Sequence, residues 1–307
     1  MKKKCTIIRH RVDLDGTGSA LVVDKWIREH SDKYEEPEHI GWNYGDDIPA
    51  IGEGLVFLVD ISFPADDMKN LYKAKGNEVI WIDHHISHIE ASEKQGYDTM
   101  EGLRYVGNGA CELCWEYLYE GVPVPRFIQY LSAYDTWQKE RFDWTSEVLP
   151  LQFGLKLKYG LAPQSYTTSQ IFERLLDEND DLMNMVIKDG KTILEYNVSR
   201  FKSIVKAYSF DVLVAGKYKG ICTLCTDFGS TLYTHVMGDY EVFVCANRKT
   251  GKNGEPIFTV SFYSEPDRCE LNLASYAENW GGGGHRCAAG CTVSEEDFMR
   301  LVGEGKI

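Results

Sequence analysis

Three stretches of the sequence place oxygen and nitrogen donors where they could hold a divalent cation. In His10-Arg-Val-Asp13-Leu-Asp15-Gly16, two carboxylates stand two residues apart and a histidine precedes the first by three, so donors crowd one small volume. Asp60 comes after the apolar run Leu55-Val-Phe-Leu-Val59, and Asp83-His84-His85 after Val79-Ile-Trp-Ile82. Carboxylate and imidazole without cysteine suit Mn2+ or a similar borderline ion better than structural zinc. There are enough ligands for two ions. Paired ions roughly 3.5–4 Å apart clamp the attacking and leaving oxygens of phosphoryl transfer. Each residue alone is equally well explained as a helix cap or a solvated loop side chain. Their coincidence is what points to metal.

The elements that must carry these residues give the coincidence a physical basis. Residues 5–9, 55–59 and 78–82 are short apolar runs that read as buried strands. Thr17 to His30 places Val22, Val23, Trp26 and Ile27 on one helical face, and Asp66 to Lys75 does the same with Met68, Leu71 and Tyr72. Strands alternating with helices predict an α/β fold, a parallel sheet with helices on both faces. In such a sheet ligands bind beyond the carboxyl ends of the strands, where all three donor stretches fall. Acidic groups gathered on one edge repel unless positive charge lies between them. Divalent cations supply it. Gly16 permits the tight turn into the following helix.

Further helices are predicted over Ala110 to Tyr119 and Arg126 to Tyr134. From Ile171 to Tyr208 the pattern stays helical through Ile187, Leu194, Val198, Phe201 and Val205, which predicts one or two helices joining two halves, with Gly190 as a break. Beyond them Asp211-Val-Leu-Val-Ala215, Gly220-Ile-Cys-Thr-Leu-Cys225, Glu241-Val-Phe-Val-Cys-Ala246 and Ile257-Phe-Thr-Val-Ser-Phe262 are strand-like, around a helical stretch near Ser230 to Val236. This is a smaller mixed α/β domain. The expected boundaries are 1–165 for the metal-binding domain, 166–207 for a helical linker and 208–307 for the second domain.

Composition narrows the function. With 43% apolar and 12% aromatic residues among 307, the chain can bury a substantial core and is not disordered. No apolar run approaches the ~20 residues that span a bilayer. Met1-Lys-Lys-Lys4 followed by only Cys5-Thr-Ile-Ile8 is too short for a signal peptide, so a cytoplasmic location and reduced thiols for the nine cysteines are expected. The net charge is −14, and acidic residues outnumber basic ones both before Tyr208 (34 to 24) and from it onward (13 to 9). A binder of long duplex nucleic acid needs a basic stripe for phosphate contacts, and there is none. A small anionic substrate gripped by a few groups or by metal fits instead, and a homodimer is allowed.

The donor stretches also resemble a known family. His10-Arg-Val-Asp13-Leu-Asp15-Gly16, Asp60, Asp83-His84-His85 and Asp135, in Leu131-Ser-Ala-Tyr-Asp135-Thr-Trp, match in order the four motifs of the DHH phosphoesterase superfamily. Gly281-Gly-Gly-Gly-His285-Arg-Cys-Ala-Ala-Gly290 is similar to the Gly-Gly-Gly-His signature of the DHH-associated C-terminal domain. The resemblance implies two Mn2+ ions, with Mg2+ or Co2+ as substitutes. It assigns His10 and Asp13 to the first ion, Asp60 to a bridge, and Asp15, His84 and Asp135 to the second. His85 would face the substrate phosphate, and Asp83 would orient a neighbouring histidine. Domain 1–165 would then be catalytic and 208–307 substrate-binding.

The glycine run has a local reading as well. Glycines let the backbone approach an anion, so N–H groups of Gly282, Gly283 and Gly284 could meet phosphate oxygens, with His285 and Arg286 adding charge-assisted bonds. Many relatives carry an arginine in the strand preceding this signature. Here that strand reads Ser261-Phe-Tyr263-Ser264, leaving Tyr263, Arg248 or Arg268 as candidates to replace the contact. Cys111-x-x-Cys114 and Cys222-x-x-Cys225 have zinc-ligand spacing but read as buried thiols, and His88 reads as a loop side chain. The expected activity is Mn-dependent phosphodiester hydrolysis of short oligonucleotides or linear dinucleotides to mononucleotides. Rivals are pyrophosphate, polyphosphate or phosphoadenosine phosphate as substrate, a nucleotide-binding regulator without turnover, and a zinc-stabilised interaction module.

Overall fold

Buried apolar runs can alternate their side chains between the two faces of a sheet only if both faces are covered, and the first half of the chain does this. The structure is a computed structural model describing residues 2–158, 166–224, 229–304 and 307. Strands β1 (Cys5–His10), β2 (Glu38–Trp42), β3 (Gly54–Val59) and β4 (Asn77–Ile82) form an all-parallel sheet in the order β2-β1-β3-β4. Ile7, Leu55, Phe57, Val59, Ile80 and Ile82 face one core. Their neighbours Ile8, Val56, Leu58, Val79 and Trp81 face another.

The first core is closed by α1 (Leu14–Glu29), through Val22, Val23 and Ile27, and by α4 (Ala110–Leu118) and α5 (Arg126–Asp135). The opposite face is covered by Met68 and Leu71 of α2 (Ala65–Lys73) and by Tyr97 and Met100, which lie just after α3 (Ile86–Gln95). Strand β2 escapes sequence patterning because it is a polar edge strand in which only Trp42 is buried.

Helices α6 (Leu149–Lys158), α7 (Tyr166–Leu176) and α8 (Asp180–Tyr208) come next. The expected break at Gly190 is not there. The interruption falls at 177–179, where Glu178 has a φ of 57° and the Asn179 side chain accepts from the Leu182 N–H at 2.9 Å. Gly190 instead lies inside α8, where a Cβ would sit 1.8 Å from the Pro150 carbonyl oxygen. The glycine serves a close helix approach.

The chain divides into two compact units, Met1–Leu194 and Glu195–Ile307, so the division falls within α8. Phe172, Leu175 and Leu176 of α7 and Leu182, Met183, Val186 and Ile187 of α8 belong to the first core, so much of the segment read as a linker is built into that unit. In the second unit, β5 (Ser209–Val214), β6 (Tyr218–Thr223), β7 (Val242–Thr250), β8 (Pro256–Tyr263), β9 (Gly283–His285) and β10 (Ala288–Ser294) form a sheet in the order β5-β6-β7-β8-β10-β9. Only β6 and β7 pair in parallel, which makes the sheet mixed. Helices α9 (Gly229–Leu232), α10 (Leu273–Glu278) and α11 (Glu295–Gly303) accompany it. Leu273 and Ala277 of α10 and Phe298 and Leu301 of α11 pack into its core.

Candidate metal centre

The carboxyl ends of β1, β3 and β4 deliver their donors to one place because the strands are parallel neighbours in register. His10 ends β1, and Asp13 caps α1, its Oδ1 accepting from the Gly16 N–H at 2.8 Å. Gly16 is required there, since a Cβ would lie 2.3 Å from the His10 carbonyl oxygen. Asp60 leaves β3 at a φ of 60°, a left-handed conformation that Asp tolerates better than most residues. Asp135 arrives as the last residue of α5.

Four groupings among the described residues have donor atoms within 4.8 Å of one another: His10, Asp13 and Asp60; Asp15, His84 and Asp135; Asp60, His84 and His85; and Asp83, His85 and His88. Asp60 is common to two of them. Its Oδ2 lies 3.6 Å from His10 Nδ1 and its Oδ1 lies 3.3 Å from His84 Nε2. His84 Nε2 is also 3.2 Å from Asp135 Oδ2 and 3.7 Å from Asp15 Oδ2. All six residues expected to hold metal are therefore brought together.

The fit to cations can be judged from the unmet valences. Both oxygens of Asp60, with His10 Nδ1 and His84 Nε2, are buried without a hydrogen bond. The other nitrogen of His10, Nε2, lies 3.1 Å from Asn43 Oδ1, which accepts and so assigns the proton to Nε2. That turns the Nδ1 lone pair toward Asp13 and Asp60, the arrangement by which a metal-ligating histidine is held. Lone pairs buried against carboxylates need a positive charge between them. Burial pushes the Asp60 carboxyl well above the usual range and the charge of Asp15 adds to it. Burial and Asp15 likewise push Asp135 up to about 7. Burial would lower His10, but Asp13 and Asp60 outweigh it and lift the imidazole to about 10. Without a cation, protons take up part of the same charge. The site fits divalent metal.

Asp15 has a second task. Its Oδ2 accepts from the Ala110 N–H at 2.6 Å and its Oδ1 from the Cys111 N–H at 2.9 Å, which caps α4 with a negative charge at the positive end of its dipole.

Asp83 is fully buried. It accepts from the backbone N–H of His84 (2.8 Å) and His85 (3.2 Å), and from Nδ1 of His85 (2.7 Å) and of His88 (2.9 Å). Burial would raise its pKa, but these donors hold it below the ordinary carboxylate range. Asp83 thus orients His85. His88, read from sequence as a loop side chain, lies on α3 and bonds at its other nitrogen with the Tyr44 hydroxyl, 3.2 Å away. The three-residue spacing of His85 and His88 at a helix start was the available signal. Asn43 had none.

In the second unit, Gly283–His285 form the edge strand β9, and His285 and Arg286 are exposed. A Cβ on Gly282 would meet the Gly290 carbonyl oxygen at 2.1 Å, so this glycine also serves strand packing. A hollow of about 350 Å3 beside the run is lined by Ser261, Gly281, Gly282 and Gly290, among others. Arg248 pairs with Glu295 at 2.6 Å, Arg268 donates to the Gly238 carbonyl at 2.7 Å, and Tyr263 stacks on Tyr233 at 5.5 Å. Cys111, Cys114 and Cys222 are buried free thiols, and Cys225 lies outside the described residues. No cysteine enters a metal-capable grouping among the described residues.

Residues 4–129 match the DHH family, N-terminal domain. Over that first part, the chain is similar to the DHH family. It is 23% identical over 274 residues to the oligoribonuclease NrnB of Bacillus subtilis, covering 82% of this chain and 62% of that protein. It spans about two thirds of the length of the curated relatives it matches. Among solved structures, the pGpG-specific phosphodiesterase PggH of Vibrio cholerae aligns with a TM-score of 0.57 at 14% identity, covering 97% of this chain and 96% of that one. The exonuclease RecJ bound to manganese aligns at 0.50 and 13% identity, covering 99% and 89%. These likenesses show that the DHH fold is shared. No helix of the described residues is long and apolar enough to cross a membrane.

Proposed function

We propose that this protein is a metal-dependent phosphodiesterase that hydrolyses short oligonucleotides or linear dinucleotides to mononucleotides. The observation that carries the reading is Asp60, buried and without a hydrogen-bond donor, shared between the His10–Asp13 side and the His84 side of one cluster. His10, Asp13 and Asp60 would hold one ion, and Asp60, Asp15, His84 and Asp135 a second, with Mn2+ the ion best suited to carboxylate and imidazole. Bound there, a pair of divalent cations lowers the pKa of a water and neutralises charge on the phosphoryl oxygens.

The remaining work falls to the chain. Asp83 holds His85 through Nδ1 at 2.7 Å, which leaves Nε2 to carry a proton to the leaving oxygen. Asn43 fixes the tautomer of His10. Gly282, Gly283, Gly284, His285 and Arg286 are assigned to substrate phosphates on the family resemblance. That NrnB is named an oligoribonuclease and PggH a pGpG phosphodiesterase supports a short nucleotide substrate, and the acidic surface agrees, because such a substrate needs no basic track.

Turnover of a linear dinucleotide, a cyclic dinucleotide and pyrophosphate, measured side by side with Mn2+, tests the reading. Mononucleotide release from the linear dinucleotide is expected. Phosphate release from pyrophosphate alone would displace it.

A further inference from the structure

Next to Asp135 the chain gathers rings and cations that the phosphoryl chemistry leaves unused. Tyr134 stacks on Trp144 with centroids 5.7 Å apart and planes 8° from parallel. Trp137 stacks on both, 5.6 Å from Trp144 and 6.2 Å from Tyr134. It is 44% exposed, and its backbone is held at a φ of 55°. A bulky residue adopts that left-handed conformation at a cost, and such strain concentrates at functional sites. Hydrogen bonds from the Trp137 and Gln138 N–H groups to the carbonyls of Tyr134 (3.3 Å) and Ala133 (2.9 Å) keep the turn in place.

Two ammonium groups accompany the rings. Lys156 Nζ lies 5.1 Å from the Tyr134 centroid, and Lys139 Nζ lies 5.3 Å from that of Trp137. Lys156 is half-buried on α6, the carboxylates of Asp13 and Asp135 act on its charge, and it makes no hydrogen bond or ion pair among the described residues. A stacked aromatic platform with an adjoining ammonium beside a phosphoryl centre has the chemistry of a nucleotide site: every base has a face to stack, and each phosphate a charge to neutralise.

We infer that Trp137, backed by Tyr134 and Trp144, stacks on the nucleobase next to the scissile phosphate, while Lys156 neutralises that phosphate. The inference rests on the phosphodiesterase reading and sharpens it, because pyrophosphate and polyphosphate offer no ring to this platform.

The test is binding of AMP and of ribose 5-phosphate to the Mn2+-loaded full chain by calorimetry, so that no turnover is involved. AMP is expected to bind about tenfold more tightly, within the range for one stacked base. Trp137→Ala should bring AMP down to the level of ribose 5-phosphate and leave the latter unchanged. Trp137→Phe should keep most of the preference, and its folding provides the control if the alanine variant is unstable. Lys156→Met should weaken both ligands alike. Equal affinity of the parent protein for the two ligands, or an AMP preference that survives Trp137→Ala, overturns the inference. Dinucleotide cleavage without an AMP preference removes the platform and leaves the phosphodiesterase standing. An AMP preference without dinucleotide cleavage does the reverse.

Discussion

Asp60 Oδ1 and His84 Nε2 stand 3.3 Å apart, both buried, and neither makes a hydrogen bond. Two such groups left facing each other mark a place for a cation. Asp60→Asn keeps the shape and removes the charge. Its Mn2+-dependent turnover is expected to fall by more than about a hundredfold, beyond the effect usual for residues outside the ligand shell. In EDTA at pH 8 the variant should be at least as stable as the parent, because a carboxyl whose pKa burial raises in the folded state costs stability at any pH above its unfolded value. Thermal melting in EDTA checks this, and a variant clearly less stable than the parent would count against the site.

Metal loading should depend on pH. Asp135 is pushed up to about 7 from an unperturbed value of 3.8 by burial and by Asp15. For an acid raised in the folded state, stability is fully present below the unfolded value and is lost as pH climbs toward the folded one. Between pH 4 and 7 the metal-free protein should therefore lose stability through this group, while Mn2+ must displace protons to bind. The rise in Tm produced by Mn2+ should grow from pH 5 to pH 8. A gain independent of pH would contradict the assignment.

His88→Ala removes one of two imidazoles that donate to the buried Asp83. Asp83 then holds His85 with one donor fewer, and turnover or Mn2+ affinity should drop by about 10–100-fold. His39→Ala is the control: its exposed ring approaches Asp24 at 3.4 Å and enters no metal-capable grouping among the described residues, so steady-state kinetics should not change.

Gly190→Ala separates two accounts of one residue. Alanine in a helix interior normally gains up to about 1 kcal/mol over glycine, and a flexible break would give that result. Here the added Cβ would sit 1.8 Å from the Pro150 carbonyl oxygen. Overpacking of this kind costs about 1–3 kcal/mol, so urea unfolding should show a net loss. A stabilised variant would mean the helices can separate freely.

The sequence by itself carried the parallel sheet and the principal donors. The runs ending at Val59 and Ile82 are apolar on both alternating faces, which requires helices above and below, and parallel strands deliver the residues at their carboxyl ends to a single edge. Asp13, Asp60 and His84 could be placed on that basis. Asp135 was reached only through the family resemblance, since nothing in the periodicity of α5 singles it out. Tertiary structure alone decided the rest. It brought Asn43 to His10 from a polar edge strand without pattern, committed Asp15 to the N–H groups of Ala110 and Cys111, joined His88 to Asp83, and made Gly190 a packing residue. Burial and period are written locally, residue against next residue. A hydrogen-bond partner ninety-five positions away, as Ala110 is from Asp15, is chosen only when the chain has closed around it.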